Sequence, residues 1–228
     1  MPEPAKSPTI GCYLADEDLL DLVKRERRAC VRLTRPESMA LVLGRSSKAE
    51  LEIDFNELAY APIVLLRRRG GGCTVLLDPG NLVVSIALPI RGFGAIDTWF
   101  HIISAWLIKE LATAGIAGVT REGVSDLVLF ERKIGGSCIF RGRDLLYYAT
   151  TLLIEADLGA IGRYLTHPPR EPGYRAGRPH EEFLGRLADL VPGTTTPALQ
   201  QRLVPRLSAE NLLAFARTTD TKHYQNKR

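Results

Sequence analysis

A chain of 228 residues, 45% hydrophobic and 25% charged, can bury one substantial core, so a single domain over residues 1–228 is expected. Thirty Lys and Arg against 26 Asp and Glu give a net charge of +4 and a pI near 8.9, a mild excess that suits an acidic protein partner, a nucleotide or a nucleic acid. Cys12, Cys30, Cys73 and Cys138 form no CxxC pair, which argues against a disulfide framework and structural zinc; with no window near the roughly 20 apolar residues of a membrane span, and neither a basic cluster nor an apolar run in Met1 to Leu14, a soluble cytoplasmic protein is expected.

Leu19, Leu20, Val23 and Cys30 recur with helical spacing among charged residues, predicting an amphipathic helix over about Asp16 to Arg28 that covers one face of a sheet. The basic runs Lys24–Arg35 and Arg163–Arg186 are read as solvated surface. Short apolar and β-branched runs at Met39–Leu43, Ile63–Leu66, Thr74–Leu77 and Leu82–Leu88, each bounded by Gly, Pro, Asn or Asp, predict strands. From Asp97, an expected N-cap, Phe100, Ile103, Leu107 and Leu111 fall on one helical face and Gly115 stands just past the last turn. Strands are expected again at Asp126–Phe130, Lys133–Phe140 and Leu145–Glu155, then a helix over Asp157–Leu165. Four prolines and two glycines make Thr166–Pro179 a loop, and helices near His180–Leu187 and Ser208–Arg217 precede a frayed polar tail. Strands, one long helix, strands again and then helices indicate an α+β domain with a mixed, mostly antiparallel sheet, because regular βαβ alternation is absent.

The run Arg67-Arg68-Arg69-Gly70-Gly71-Gly72 between two strand-like segments offers planar cationic donors beside a backbone without side chains, a nest for phosphate or carboxylate. A mobile basic hairpin is the plain alternative. The run lacks the Gly-Lys-Ser/Thr ending of a Walker loop and is not a G-x-G-x-x-G dinucleotide fingerprint.

Its company is more specific. Leu41-Val42-Leu43-Gly44-Arg45, the Arg-Gly run and Asp78-Pro79-Gly80-Asn81-Leu82 resemble the lipoate-protein ligase and octanoyltransferase family. Ser125-Asp126-Leu127 followed by Lys133-Ile134-Gly135-Gly136-Ser137 is similar to that family's Asn-Asp-Leu and Lys-x-Ser/Ala-Gly-Ser segments, and Thr151-Leu152-Leu153 to Ala156-Asp157-Leu158 adds a third block. The resemblance spans about Met39 to Leu165. It implies the class II synthetase-like catalytic fold shared with biotin protein ligases, and attachment of lipoate or octanoate to a lysine of a lipoyl-type carrier domain, with ATP and Mg2+ forming an acyl-adenylate.

By the same resemblance Lys133 is the active-site lysine, pairing with acyl-phosphate or carboxylate oxygens. Arg68, Arg69, Gly70, Gly71, Gly72, Val75, Gly135, Gly136 and Ser137 hold substrate. Arg68 and Arg69 either position the acyl-adenylate or brace the loop. Asp126 holds magnesium, bonds the nucleotide, or is a plain strand-start aspartate. Val75, Leu76 and Val83 are candidates for an apolar tunnel, where each buried methylene is worth about 0.8 kcal/mol. Asp78, Gly80 and Asn81 are read as a structural turn.

Some segments depart from the family pattern. Ala149-Thr150-Thr151, after Tyr147-Tyr148, stands where many ligases have His-Gly-Thr, which points to a changed substrate or a weaker activity. Tyr174-Arg175-Ala176-Gly177-Arg178-Pro179-His180 either closes over a nucleotide or is a surface loop. Neither Cys73 nor Cys138 aligns with a transferase nucleophile, and both are read as inert thiols. Only a short helical tail after Ser208 stands where two-domain ligases have a C-terminal accessory domain, so a separate accessory subunit or a pre-activated acyl group is implied. The alternatives are an ATP-independent octanoyl or lipoyl transferase between carrier proteins, an inactive acyl-binding module, and biotin as substrate; neither a nucleic acid nor a membrane partner is expected.

Overall fold

The strand and helix signals resolve into two sheets in the computed structural model, which describes residues 9–92 and 95–225. In chain order the elements are β1 (Ile10–Cys12), α1 (Glu17–Glu26), β2 (Cys30–Thr34), β3 (Ala40–Leu43), α2 (Ala49–Glu52), α3 (Phe55–Leu58), β4 (Val64–Arg67), β5 (Val75–Leu77), β6 (Asn81–Leu88), α4 (Ile96–Thr113), β7 (Thr120–Glu122), β8 (Asp126–Leu129), β9 (Arg132–Arg141), β10 (Leu146–Leu153), α5 (Leu158–Tyr164), α6 (His180–Phe183), α7 (Leu187–Leu190), α8 (Thr196–Leu203) and α9 (Ala209–Gln225). Most of the amino-terminal stretch used above, residues 1–8, and the end of the polar tail, residues 226–228, lie outside the described residues. No described helix is long and apolar enough to cross a membrane.

The smaller sheet has the order β1-β4-β3-β5, with β4 parallel to both neighbours and β5 antiparallel to β3. The larger, β2-β6-β10-β9-β8-β7, is antiparallel throughout. This is the mixed, mostly antiparallel α+β class.

Every residue of β6 is buried because the strand is central and covered on both faces. Leu82, Val84, Ile86 and Leu88 face the core shared with α4, α8 and α9, whereas Val83, Ser85 and Ala87 point the other way, toward α1 and the smaller sheet. Of the predicted α4 stripe, Ile103, Leu107 and Leu111 are at most 1% exposed and Phe100 is partly buried against the same core, where Trp106 joins them; each fully buried side chain contributes about 1.5–3 kcal/mol. A second apolar cluster packs α2, α5 and α6 against the smaller sheet through Leu41, Leu43, Leu65, Ile161 and Phe183.

Four local expectations are corrected. Cys30 lies in β2, because the chain turns at Arg27, which takes a left-handed φ of 54° and donates its amide to the Val23 carbonyl at 3.0 Å. The N-cap of α4 is Ala95; Asp97 sits inside the first turn, where its carboxylate opposes the helix dipole without capping it. The helix expected over His180–Leu187 is broken in two, since the Gly185 amide donates to the Lys133 carbonyl at 3.0 Å and draws the chain onto β9. The last helix continues to Gln225, well past Arg217. The sequence reading also passes over α8, which Thr195 caps by accepting from the Ala198 amide at 3.4 Å.

Candidate functional site

Between the two sheets lies a cavity of about 700 Å³. Its floor is the face of the larger sheet carrying Val83, Gly136, Cys138, Ala149 and Thr151, and Val42, Val75, Leu76 and Leu77 of the smaller sheet oppose it. Leu20 and Tyr147 stand at the α1 end. At the other end a strap comprising residues 166–186 contributes Pro168, Pro172, Arg175, His180, Phe183 and Leu184. The Pro/Gly-rich segment is therefore part of the cavity wall.

Of the residues singled out from sequence, Lys133, Asp126, Arg68, Arg69, Gly71, Gly72, Val75, Gly135, Gly136 and Ser137 all line the cavity, as do Leu76 and Val83. Gly70 does not; it is buried behind the loop, its carbonyl accepting from the Arg45 amide at 2.9 Å.

Lys133, the second residue of β9, reaches back to Asp126 at the start of β8. Its ammonium is 2.8 Å from Asp126 Oδ1, and the Tyr174 hydroxyl donates to Asp126 Oδ2 at 2.8 Å. That hydroxyl is held protonated well above its usual range by burial and by the Asp126 carboxylate. A glycine is needed beside the pair: a Cβ on Gly136 would lie 2.9 Å from Lys133 Cε and 3.0 Å from its Nζ. The lysine thus lies along bare backbone with its charge at the cavity surface.

The arginine run behaves differently from a simple anion clamp. Arg67 donates to the carbonyls of Gly44 at 2.8 Å and Ser47 at 2.9 Å. Arg68 donates to those of Val42, Gly71 and Cys73 at 2.7, 2.7 and 2.8 Å. Arg69 makes a two-pronged pair with Glu17 of α1 at 2.7 and 2.8 Å. These guanidiniums brace the loop and clip it to α1, one of the two roles left open above. The amides of Gly71 and Gly72 donate to no described residue, so the backbone nest itself remains available to an anion.

The strap adds Arg175, which is 4% exposed and spends Nε on the Arg178 carbonyl at 2.9 Å; its Nη2 is buried with no partner. Burial lowers its pKa, and the guanidinium stacks 4.8 Å over the Phe183 ring, with Arg178 at 5.4 Å and Lys133 at 5.9 Å from the same ring. A buried donor without an acceptor costs free energy that an anionic ligand would recover. Among the described residues no group of three or more His, Cys, Asp or Glu could hold a metal, and both Asp126 oxygens are engaged by Lys133 and Tyr174.

Asp78, by contrast, is structural: it accepts from the Gly80 and Asp157 amides at 2.6 and 2.8 Å, while its own amide donates to Asn81 Oδ1 at 2.9 Å. Tyr174 and Arg175 appeared in sequence only as part of an ambiguous loop. Asp16, which also lines the cavity, appeared only as a helix start.

His180 gives the strap a pH response. Its pKa is lowered to about 4, first by burial and then by Arg175, His167 and Lys133, with Glu181 opposing. The unfolded imidazole takes its proton near 6.5, whereas the folded one resists until about 4, so the folded state loses stability as pH falls through that window and keeps it above. The thermal midpoint of the protein should therefore drop more steeply between pH 6.5 and 4 than that of His180→Gln; parallel curves would refute this.

Residues 14–208 match the lipoyl protein ligase A/B catalytic domain. A probable lipoate-protein ligase A of Mycoplasma genitalium is 29% identical over 125 residues, 55% of this chain and 37% of that protein. Its Mycoplasma pneumoniae counterpart is 23% identical over 164 residues, 72% of this chain and 48% of that protein. The chain thus spans about half or less of the length of these curated relatives. Among solved structures, a bi-partite lipoate protein ligase from Thermoplasma acidophilum, described with its E2 lipoyl domain, superposes with a TM-score of 0.71 at 19% identity, covering 93% of this chain and 89% of that one. Lipoate-protein ligase A bound with ATP superposes with a TM-score of 0.67 at 19% identity, covering 87% and 85%. With the fold shared and the family domain matched over residues 14–208, the chain belongs to the lipoyl protein ligase A/B catalytic domain family.

Proposed function

We propose that the protein activates a medium-chain carboxylic acid of the lipoate and octanoate class with ATP and passes the acyl group to a lysine of a lipoyl-type carrier domain. The observation that carries this reading is Lys133, whose ammonium lies at the surface of an apolar cavity beside the bare backbone of Gly136. In the first step a carboxylate oxygen attacks the α-phosphorus of ATP, pyrophosphate leaves, and an acyl-adenylate remains. In the second the carrier amine attacks the acyl carbonyl, loses its proton and expels AMP. Both steps build negative charge on oxygens near one point, which a fixed ammonium stabilises.

In this reading Lys133 exchanges Asp126 for the acid and the α-phosphate, and Asp126, left bonded to Tyr174, turns toward the nucleotide. The unpartnered Arg175 Nη2 and the free amides of Gly71 and Gly72 are suited to phosphate oxygens. Mg2+ would neutralise the leaving pyrophosphate, with Asp126 as its protein carboxylate and the phosphates as its other ligands. Val75, Leu76 and Val83 contact the acyl chain, and Gly135, Gly136 and Ser137 form the floor under its carboxyl. The relatives described with ATP and with an E2 lipoyl domain support the choice of nucleotide and acceptor. The cytoplasm is where ATP and carrier would be available, and the bi-partite relative supports a test with an added accessory chain.

The thioester-transferase alternative needs a reactive cysteine, and burial raises the thiol pKa of both Cys138 and Cys73. Cys138→Ala is expected to keep transfer within about twofold and to cost about 1 kcal/mol of stability; complete loss of transfer with the fold intact would favour a covalent acyl-enzyme.

The deciding assay incubates the chain with a lipoyl domain, lipoate or octanoate, and Mg-ATP, or with acylated carrier alone, and weighs the acceptor. A mass gain that requires ATP supports the ligase, and a gain from acyl carrier alone supports the transferase. Acid binding without transfer supports a binding module or a missing subunit.

A further inference from the structure

Strand β9 has β10 on one side from Gly135 to Arg141, but β8 on the other only as far as Gly135, where the chain before Asp126 turns away into β7. Ser125, whose carbonyl accepts from the Ser137 hydroxyl at 3.3 Å, marks the point of departure. The direction of the main-chain groups beyond it follows from the β9–β10 hairpin. The Gly142 amide donates to the Leu145 carbonyl at 2.8 Å, so these two are a bonded pair; bonded and non-bonded pairs then alternate back along the register, and Phe140, Cys138 and Gly136 bond to β10. The amides and carbonyls of Ser137 and Ile139 therefore point away from β10, over an edge that no described strand occupies.

This edge is the open rim of the cavity. Ser137 and Ile139 line the cavity together with Ile96 and Phe100 of α4 and Val124 of the β7–β8 turn, and Val124 and Ile96 are 65% and 40% exposed. Three exposed arginines bracket it. Arg121 donates to the Val124 carbonyl at 3.3 Å at one end, while Arg91, whose carbonyl accepts from Arg141 at 3.1 Å, and Arg143 of the hairpin stand at the other. None of the three is ion-paired among the described residues. Open main-chain donors and acceptors, an apolar rim and uncompensated positive charge together suit an extended segment of an acidic protein.

We propose that the acceptor segment of the carrier docks as an added strand along Ser137–Ile139 of β9, with its lysine opposite Gly136. The inference rests on the transfer half of the function proposed above and adds where and how the carrier sits. Directly opposed residues of neighbouring strands project on the same face, so a lysine opposite Gly136 points into the cavity, whereas one opposite Ser137 or Ile139 would face α4. Its main chain lies about 4.8 Å from that of β9, and an extended lysine side chain carries the amine about 6 Å further. That places it on the side of Gly136 along which Lys133 lies.

Amide hydrogen exchange, followed by NMR on the full chain alone and with an unmodified lipoyl domain, acid and ATP omitted, tests the docking. The Ser137 and Ile139 amides should exchange freely in the chain alone and at least about tenfold more slowly with the lipoyl domain. Ile139→Pro removes only an outward-facing donor, at the kind of edge position that tolerates proline. It should keep acid-dependent pyrophosphate exchange within about twofold, while kcat/KM for the carrier falls at least about tenfold, chiefly through KM; Ile139→Ala, which keeps the amide, should stay within about threefold. Should the proline variant not fold, the amide measurement on the unmodified chain decides. Normal carrier modification by folded Ile139→Pro overturns the inference, as do amides that do not slow although the lipoyl domain is modified in a parallel assay. Slowing that follows chain concentration without any lipoyl domain assigns the edge to a second copy and also overturns it. A lipoyl domain neither bound nor modified, with pyrophosphate exchange intact, overturns the inference together with the transfer half of the function and leaves the activation half standing.

Discussion

Lys133→Ala should lower the rate of acid activation by at least about 10²- to 10³-fold while leaving the protein folded, because it removes a preorganised charge from the point where oxygens become negative. The structural cost is small by comparison. The lysine side chain is 25% exposed and Asp126 15% exposed, and Asp126 keeps the Tyr174 hydroxyl when the ammonium is gone. Losing that one charge-assisted contact is worth about 1–2 kcal/mol. Single-turnover acyl transfer compares the variants directly, with circular dichroism checking the fold. Unchanged transfer by the alanine variant would remove Lys133 from the chemistry; partial recovery in Lys133→Arg would show that positive charge, rather than a transferable proton, is what the site requires.

Gly44→Ala should instead damage the fold of the loop. A Cβ there would lie 1.8 Å from the Gly72 carbonyl oxygen and 2.9 Å from its carbon, so main chain must move against main chain. The same turn carries the carbonyls that hold Arg67 and the Ser47 hydroxyl that donates to Gly72 at 3.1 Å, so the shift propagates through the arginine bracing. A loss of about 3 kcal/mol is expected, equivalent to a fall of about 6–12 °C in thermal midpoint for a domain of this size, together with weakened acid binding. Gly71→Ala is the control: its Cβ would meet nothing within 4 Å, and its midpoint should stay within about 2 °C. A similar midpoint for both variants would contradict the close packing of these two loops.

Much of the fold could be read before the structure because the informative residues act locally. The apolar stripe of α4, the apolar runs of β6 and β10 and the Asp78 turn follow from spacing and side-chain chemistry alone. Lys133 and Asp126 stood out in the sequence only through the family resemblance; the structure brings them together because the chain between them turns in the tight hairpin of Phe130 and Glu131, both at positive φ. The features missed depend on distant partners. Nothing in the sequence distinguishes an arginine that grips a ligand from one whose donors go to carbonyls 26 residues away, as with Arg68 and Val42. The proline-rich part of the strap, Thr166–Pro179, reads as loop and the part after it as helix, and neither reading shows that Phe183 gathers three cations around one ring. Asp16 resembled an ordinary helix start until the register of β6 and β10 brought Ser85 and Tyr147 onto it.

The central claim is that the cavity presents a carboxylic acid to ATP at Lys133. Acid-dependent exchange of labelled pyrophosphate into ATP tests it most directly, because it reads the first step alone and needs no carrier domain. Exchange that appears with Mg-ATP only when a medium-chain acid is present, and that disappears in Lys133→Ala, is the predicted result. Absence of exchange with lipoate and octanoate alike, in a folded protein that binds them, would contradict it.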